Sequence, residues 1–429
     1  MNCDVLVLGG GPAGSTAAAL LARAGRRVIL LEKDHFPRFH IGESLLPYNR
    51  SLFAALGVWP ALQAAGFPRK TGAQFHLSNG TKSRRFVFRQ GRFTRETETI
   101  QVERARFDEL LLRHAGRLGA DVREGWTAGT VAVHADCVEV QVTDPAGRGH
   151  RLVAAHVVDA SGRANLTGNQ AGLRVIHPRH RKLAVFGHFE GVFRDPGEAE
   201  GDTVIVRDAD RWFWLIPISE ARTSVGLVLD KEAFAAEGGE AGEVFWTAVR
   251  RSRVMSGRLQ GAHLPGPLQV TSDFSYFNRR LAGPRLARVG DAAGFMDPIF
   301  SAGVYLAMWS GQLAAEAVAA ALTTGSDGRG LLAAYEKRLG RAMRVYWRLV
   351  EHYYTTPFME LFLEPRHRLD LPAAVLAILA GELEPAWPVR WRMELFYLLV
   401  RLQRYRPLVP PLDFRLVPTH ASPPTPAVR

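Results

Sequence analysis

The chain has 429 residues, 47% of them apolar, and a formal net charge of +12, enough for two or three domains around a large core. Two cysteines cannot build a disulfide framework, no apolar run reaches the roughly 18 residues of a membrane span, and Asp4 stands where a leader would be basic, so a cytoplasmic protein with no membrane span is expected. Six lysines against 48 arginines carry the charge, scattered without a basic run interleaved with aromatics, which argues against nucleic acid and suits an anionic cofactor and an acidic partner.

In chain order, "DVLVLGGGPAGSTAAALLARAGRRVILLEK" predicts a buried strand over residues 5–8, a glycine turn, a helix to Ala24 and a second strand ending at Glu32. Gly9 allows the tight turn, Gly11 lets a pyrophosphate approach the backbone, and Gly14 lets helix and strand pack closely. The phosphates would lie on the helix N-terminus, and Glu32, 18 residues after Gly14, would accept from a ribose hydroxyl. Together these predict dinucleotide binding. No second GxGxxG unit follows for a nicotinamide cofactor.

Further along, "HVVDASGR" (156–163) reads as a strand ending in Asp159, and "RLARVGDAAGFMDP" (285–298) as a strand running into Gly290 and Asp291. Between them, "RDADRWFWLIPIS" (207–219) places Trp212 and Trp214 two apart, so that both indoles face one side of a strand, Phe213 and Leu215 face the other, and Pro217 stops it. Alternating or apolar runs on either side of this segment predict an antiparallel sheet. Beyond Gly328, apolar and aromatic residues recur at helical spacing in "LLAAYEKRLGRAMRVYWRLVEHYYTTPFMELFLE" and "RWRMELFYLLVRLQRY". The proline-rich end is expected to be extended, its last ten residues disordered.

The glycine motif with the segments at 156–163 and 285–298 resembles the glutathione-reductase-like flavoproteins, especially aromatic hydroxylases, prenyl reductases and flavin-dependent halogenases. That resemblance implies FAD, with Asp291 on its ribityl chain and Arg104, in "IQVERARFDELLL", beside the flavin. "WFWLIP" fits WxWxIP, a halogenase segment in which the indoles would wall substrate off from the flavin. "GFPRKTGAQFHLSNG" resembles the segment whose lysine stands between flavin and substrate, which falls on Lys70. A compact ammonium can donate to hypohalous acid or, deprotonated by burial, form a haloamine. "FMDPIFSAGVYLAM" resembles the segment in which Ser301, Ala302 and Gly303 hold halide on backbone amides at the start of a helix. Phe300 stands where tryptophan halogenases carry a glutamate, which implies a phenol or pyrrole ring activated by its own oxygen or nitrogen; Tyr305 stands where histidine is common.

The expectation is thus an α/β chain: a Rossmann-type, glutathione-reductase-like FAD-binding domain (1–65, 101–180 and 280–325) interleaved with an antiparallel substrate sheet (66–100 and 181–279), a helical C-terminal cap (326–410) and a proline-rich tail (411–429). The expected activity is halogenation of an aromatic ring with chloride or bromide, O2 and FAD reduced by a separate flavin reductase, the substrate free or on a carrier protein. A hydroxylase or prenyl-type reductase, or a flavin-binding or carrier-docking protein that has lost activity, stands as the alternative.

Overall fold

An unbroken apolar run is stable as a strand only when both of its faces are covered. Residues 5–8 are such a run within the strand Cys3–Leu8, which lies between Val28–Glu32 and Gly149–Asp159 in a parallel sheet that Leu286–Arg288 and Asp121–Glu124 extend at either side. Val5 and Val7 join the main core with the helix Pro12–Arg23, while Leu6 and Leu8 meet Val138, Val140 and Val142 from an antiparallel ribbon on the opposite face. The computed structural model describes residues 1–178, 180–272, 275–364 and 368–415, so most of the expected tail, residues 416–429, lies outside the described residues.

A second sheet of seven strands runs in the order Gln269–Ser272, Lys182–Glu190, Arg222–Asp230, Arg211–Pro217, Thr203–Arg207, Gly72–Leu77 and Ser83–Val87. Its pairings are antiparallel except at one junction, where Thr203–Arg207 runs parallel to Gly72–Leu77; in this detail it departs from the purely antiparallel expectation. A parallel neighbour needs a long crossover, and here the chain between residues 77 and 203 supplies it by passing through the first sheet. Pro217 is the last residue of its strand and stands opposite Thr223. Trp212 and Trp214 bury into the main core, whereas Phe213 and Leu215 pack behind the sheet with Val244 and Phe245 of the helix Ala241–Arg251.

Two long helices follow, Gly303–Thr323 and Arg329–Tyr353, then Thr356–Leu363, Leu371–Ala380 and Trp387–Gln403. Helix Gly303–Thr323 lies so close on Pro12–Arg23 that a Cβ at Gly311 would fall 2.5 Å from the Ala13 carbonyl oxygen. The terminal helices are pinned to the second sheet by Phe362, whose ring sits 4.8 Å from those of both Phe75 and Phe86. Among the described residues no helix is long and apolar enough to cross a membrane, and no cluster of side chains could hold a metal ion.

Candidate active site

The glycine turn is built as tightly as dinucleotide binding requires. Gly9 has φ +111°, and a Cβ there would lie 2.3 Å from the Ala160 carbonyl oxygen; one at Gly14 would lie 1.9 Å from that of Gly9. Gly11, by contrast, faces open space with only the Arg38 guanidinium nearby, 3.6 Å from where its Cβ would be. Glu32 is buried and accepts from the amides of Gly10 (2.7 Å) and Asp34 (2.9 Å), so it braces the turn from beneath.

Arg38 is a residue that sequence reasoning missed. Its Nη1 is buried with no hydrogen-bond partner, although Asp108 lies 3.4 Å away. A guanidinium N–H left unmatched beside a glycine turn and a helix N-terminus suits a pyrophosphate. Asp291 follows Gly290 at the end of the Leu286–Arg288 strand, and burial raises its carboxyl to about 6 against the pull of Arg104 and Arg163. Such a carboxylate is well suited to accept from a sugar-alcohol hydroxyl. Loop, guanidinium and carboxylate thus fit FAD. Asp159 is occupied locally, accepting from the Ser161 amide and from the amide and hydroxyl of Thr167.

Arg104 opens the helix Arg104–Arg117, forms a double hydrogen bond with Asp108 (2.8 and 2.9 Å) and donates to the Ile41 carbonyl at 2.6 Å. Three and four residues further along that loop sit the two partners of Lys70. The Lys70 ammonium donates to Ser44 Oγ (2.8 Å) and to the Leu45 carbonyl (3.0 Å), in a side chain only 2% exposed. Ser44 is itself held by Thr203 at 2.8 Å, and Thr203 by Gln101 at 2.9 Å. Among the described residues no carboxylate pairs with Lys70, and burial lowers its pKa to about 7, opposed by the charge of Asp202. One short loop, residues 41–45, therefore fixes both Arg104 and Lys70.

Ser301, Ala302 and Gly303 form the turn into helix Gly303–Thr323. Asp297 caps the short 3-10 turn Pro298–Phe300 by accepting from the Ile299 amide at 3.1 Å, and Ser301 is then forced to φ 58°, a conformation uncommon outside glycine. The first amides of a helix lack partners within it and carry its positive end. A cavity of about 20 Å³, room for one small occupant, is lined by Asp297, Phe300, Ala302 and Gly303 among others. Phe300 is buried edge-on against Tyr353 at 5.4 Å. Tyr305 is closed over by the cap, packing on Tyr48 at 6.3 Å with Gly381 against both rings.

Trp212 and Trp214 stand 6.0 Å apart with their planes tilted by 52°. Their polar ends go different ways. Trp214 donates to Ser224 on the adjacent strand at 3.1 Å, whereas Trp212 donates across the core to the Tyr354 hydroxyl at 2.9 Å. Tyr354 in turn donates to Asp297 at 2.6 Å, which joins the tryptophan strand to the turn before Ser301.

Comparison with known proteins decides what this arrangement belongs to. Residues 2–351 match the family model for an FAD binding domain. The chain is 31% identical to a 1H-pyrrole-2-carbonyl-[peptidyl-carrier protein] chlorinase of Pseudomonas fluorescens, over 88% of this chain and 89% of that one. The chain belongs to the flavin-dependent halogenases. This halogenase is also 31% identical to the corresponding brominase of Pseudoalteromonas luteoviolacea, covering 88% of this chain and 91% of the relative. Among solved structures it resembles a myxobacterial chondrochloren halogenase, with a TM-score of 0.76, 30% identity and coverage of 93% and 97%. The halogenase is accordingly an FAD enzyme that places halide on an aromatic ring using dioxygen.

Proposed function

We propose that this halogenase chlorinates or brominates a phenol- or pyrrole-type ring carried on an acidic carrier protein, with halide held by Ser301, Ala302 and Gly303 and hypohalous acid held by Lys70. Reduced FAD, brought by a separate flavin reductase, supplies with dioxygen the oxidation of halide. The burial of Lys70 carries the reading. An ammonium has three N–H groups, and Ser44 and Leu45 take two; the third is left to hydrogen-bond the oxidant and turn its halogen toward the ring. Because no carboxylate among the described residues pairs with it, the competitor for that donor is the neutral state that burial favours.

Phe300 supports the choice of ring. With a buried phenyl group where a carboxylate base would stand, the ring has to be activated by its own oxygen or nitrogen. The carrier is supported by the +12 charge and by the relatives from Pseudomonas and Pseudoalteromonas, both named for carrier-bound pyrrole. Two free thiols, Cys3 and Cys137, suit a reducing cytoplasm. The test is product analysis by mass spectrometry, with bromide, a flavin reductase and phenols and pyrroles offered free and tethered, comparing wild type with Lys70→Ala. Halide-dependent product from wild type and a loss of about a hundredfold or more in the variant is the expected result; equal product from both would remove Lys70 from the reaction.

A further inference from the structure

The two indoles of the strand Arg211–Pro217 face the same way, yet only one of them is tied to the turn at residues 297–303. If an apolar wall were all that was needed, the direction of each N–H would not matter. Trp214 satisfies its N–H within its own sheet. Trp212 is 1% exposed, and its N–H reaches the hydroxyl of Tyr354, which lies just past the end of the helix Arg329–Tyr353. The ring of Tyr354 is steadied by Lys182, whose Nζ sits 4.1 Å from its centre and is itself paired with Asp230 at 2.8 Å. The hydroxyl then donates to Asp297 Oδ2, while Asp297 Oδ1 caps the Ile299 amide.

We propose that Trp212 and Tyr354 are positioning residues for halide: a one-way relay, indole N–H to phenol oxygen and phenol O–H to carboxylate, holds Asp297 and through it the amides of Ala302 and Gly303. The inference rests on the assignment of residues 301–303 to halide. Two physical effects run through the relay. The first is geometric, because Asp297 sets the 3-10 turn that forces Ser301 into its left-handed conformation and so aims the amides that follow. The second is electrostatic. Asp297 lines the same small cavity as Ala302 and Gly303, and an undressed buried carboxylate there would repel an anion; the Tyr354 hydroxyl and the Ile299 amide draw its charge away, and donation from Trp212 strengthens the tyrosine as a donor.

The variants are Trp212→Phe, which keeps an aromatic wall and loses the N–H, Tyr354→Phe, the double variant, and Trp214→Phe as the control. Bromide binding to the oxidised, FAD-loaded protein is measured by calorimetry, and kcat and the bromide KM are measured in turnover. Trp212→Phe and Tyr354→Phe are expected to raise the bromide Kd and KM about tenfold each, with kcat at saturating bromide changed by less than about twofold. The double variant should be no worse than Tyr354→Phe, because Trp212 acts through it. Trp214→Phe should leave the bromide constants unchanged. A Trp212→Phe protein with wild-type bromide affinity, or additive effects in the double variant, overturns the relay. Tyr354→Phe, which removes a single oxygen atom, keeps the test open should Trp212→Phe fold poorly. If wild type itself neither binds bromide nor depends on it, the assignment of residues 301–303 falls first; if wild type saturates with bromide and the variants match it, the relay alone falls.

Discussion

Burying Lys70 carries a cost, and the proposed reaction depends on the same group. Its pKa, lowered from 10.5 to about 7 by burial, makes two measurable quantities depend on pH. If the ammonium is the working form, the halogenation rate falls as pH rises through about 7; a rate that rises there would assign the work to the neutral amine and its lone pair. The stability effect has the opposite sign. Below about 7 the amine is charged in both the folded and the unfolded chain and the cost of burying it is fully present, whereas between about 7 and 10.5 the unfolded chain binds the extra proton. Wild-type stability therefore gains from this group across that window. Lys70→Met should flatten the pH dependence of the unfolding free energy, the difference between the two proteins being on the order of a few kcal/mol, as read by denaturant titration at pH 7 and near pH 10.

At the scale of elements, the tryptophan strand is specified by its neighbours as much as by itself. Gly226 stands opposite Trp214 in the strand Arg222–Asp230, and a Cβ there would fall 2.2 Å from the indole ring. The sheet thus makes room for one large side chain with one missing side chain on the adjacent strand. Gly226→Ala should force the indole out of its rotamer and destabilise the protein by about 1–3 kcal/mol, visible as a lower unfolding midpoint, while the more distant loop around Lys70 keeps its structure. The period-two pattern of "WFWL" was enough to place its faces, since alternation is a property of the strand alone. Strand order was not readable from it: the parallel junction of Thr203–Arg207 with Gly72–Leu77 depends on how the crossover packs, which periodicity does not record. The same limit hid the side-chain partners. Ser44 lies 26 residues from Lys70, Asp297 lies 57 from Tyr354, and Trp212 lies 142 from Tyr354, and none of these pairs leaves a local trace in the chain.

For the molecule as a whole, the Rossmann-type half was legible because each of its requirements is local: glycines at fixed offsets, an apolar strand before them and an acidic residue after the second strand. Arg38 was not, since nothing in "PRFHIGES" distinguishes it from the other arginines until the fold brings it over Gly11. Those 48 arginines do make one prediction that needs the whole surface rather than any one of them. An acidic carrier approaching a chain of net charge +12 is drawn in by long-range attraction, which added ions screen over about 10 Å at 0.1 M salt and about 3 Å at 1 M. A small neutral pyrrole or phenol feels no such field. At constant bromide and with the remaining salt supplied as potassium acetate, kcat/KM for the carrier-bound ring should fall severalfold between about 0.05 and 0.5 M salt, through slower association, while that for the free ring stays within about twofold. Equal salt dependence for the two forms would show that the carrier is not recognised by charge, and a free ring turned over as efficiently as the tethered one at low salt would show that the carrier is not the natural form of delivery.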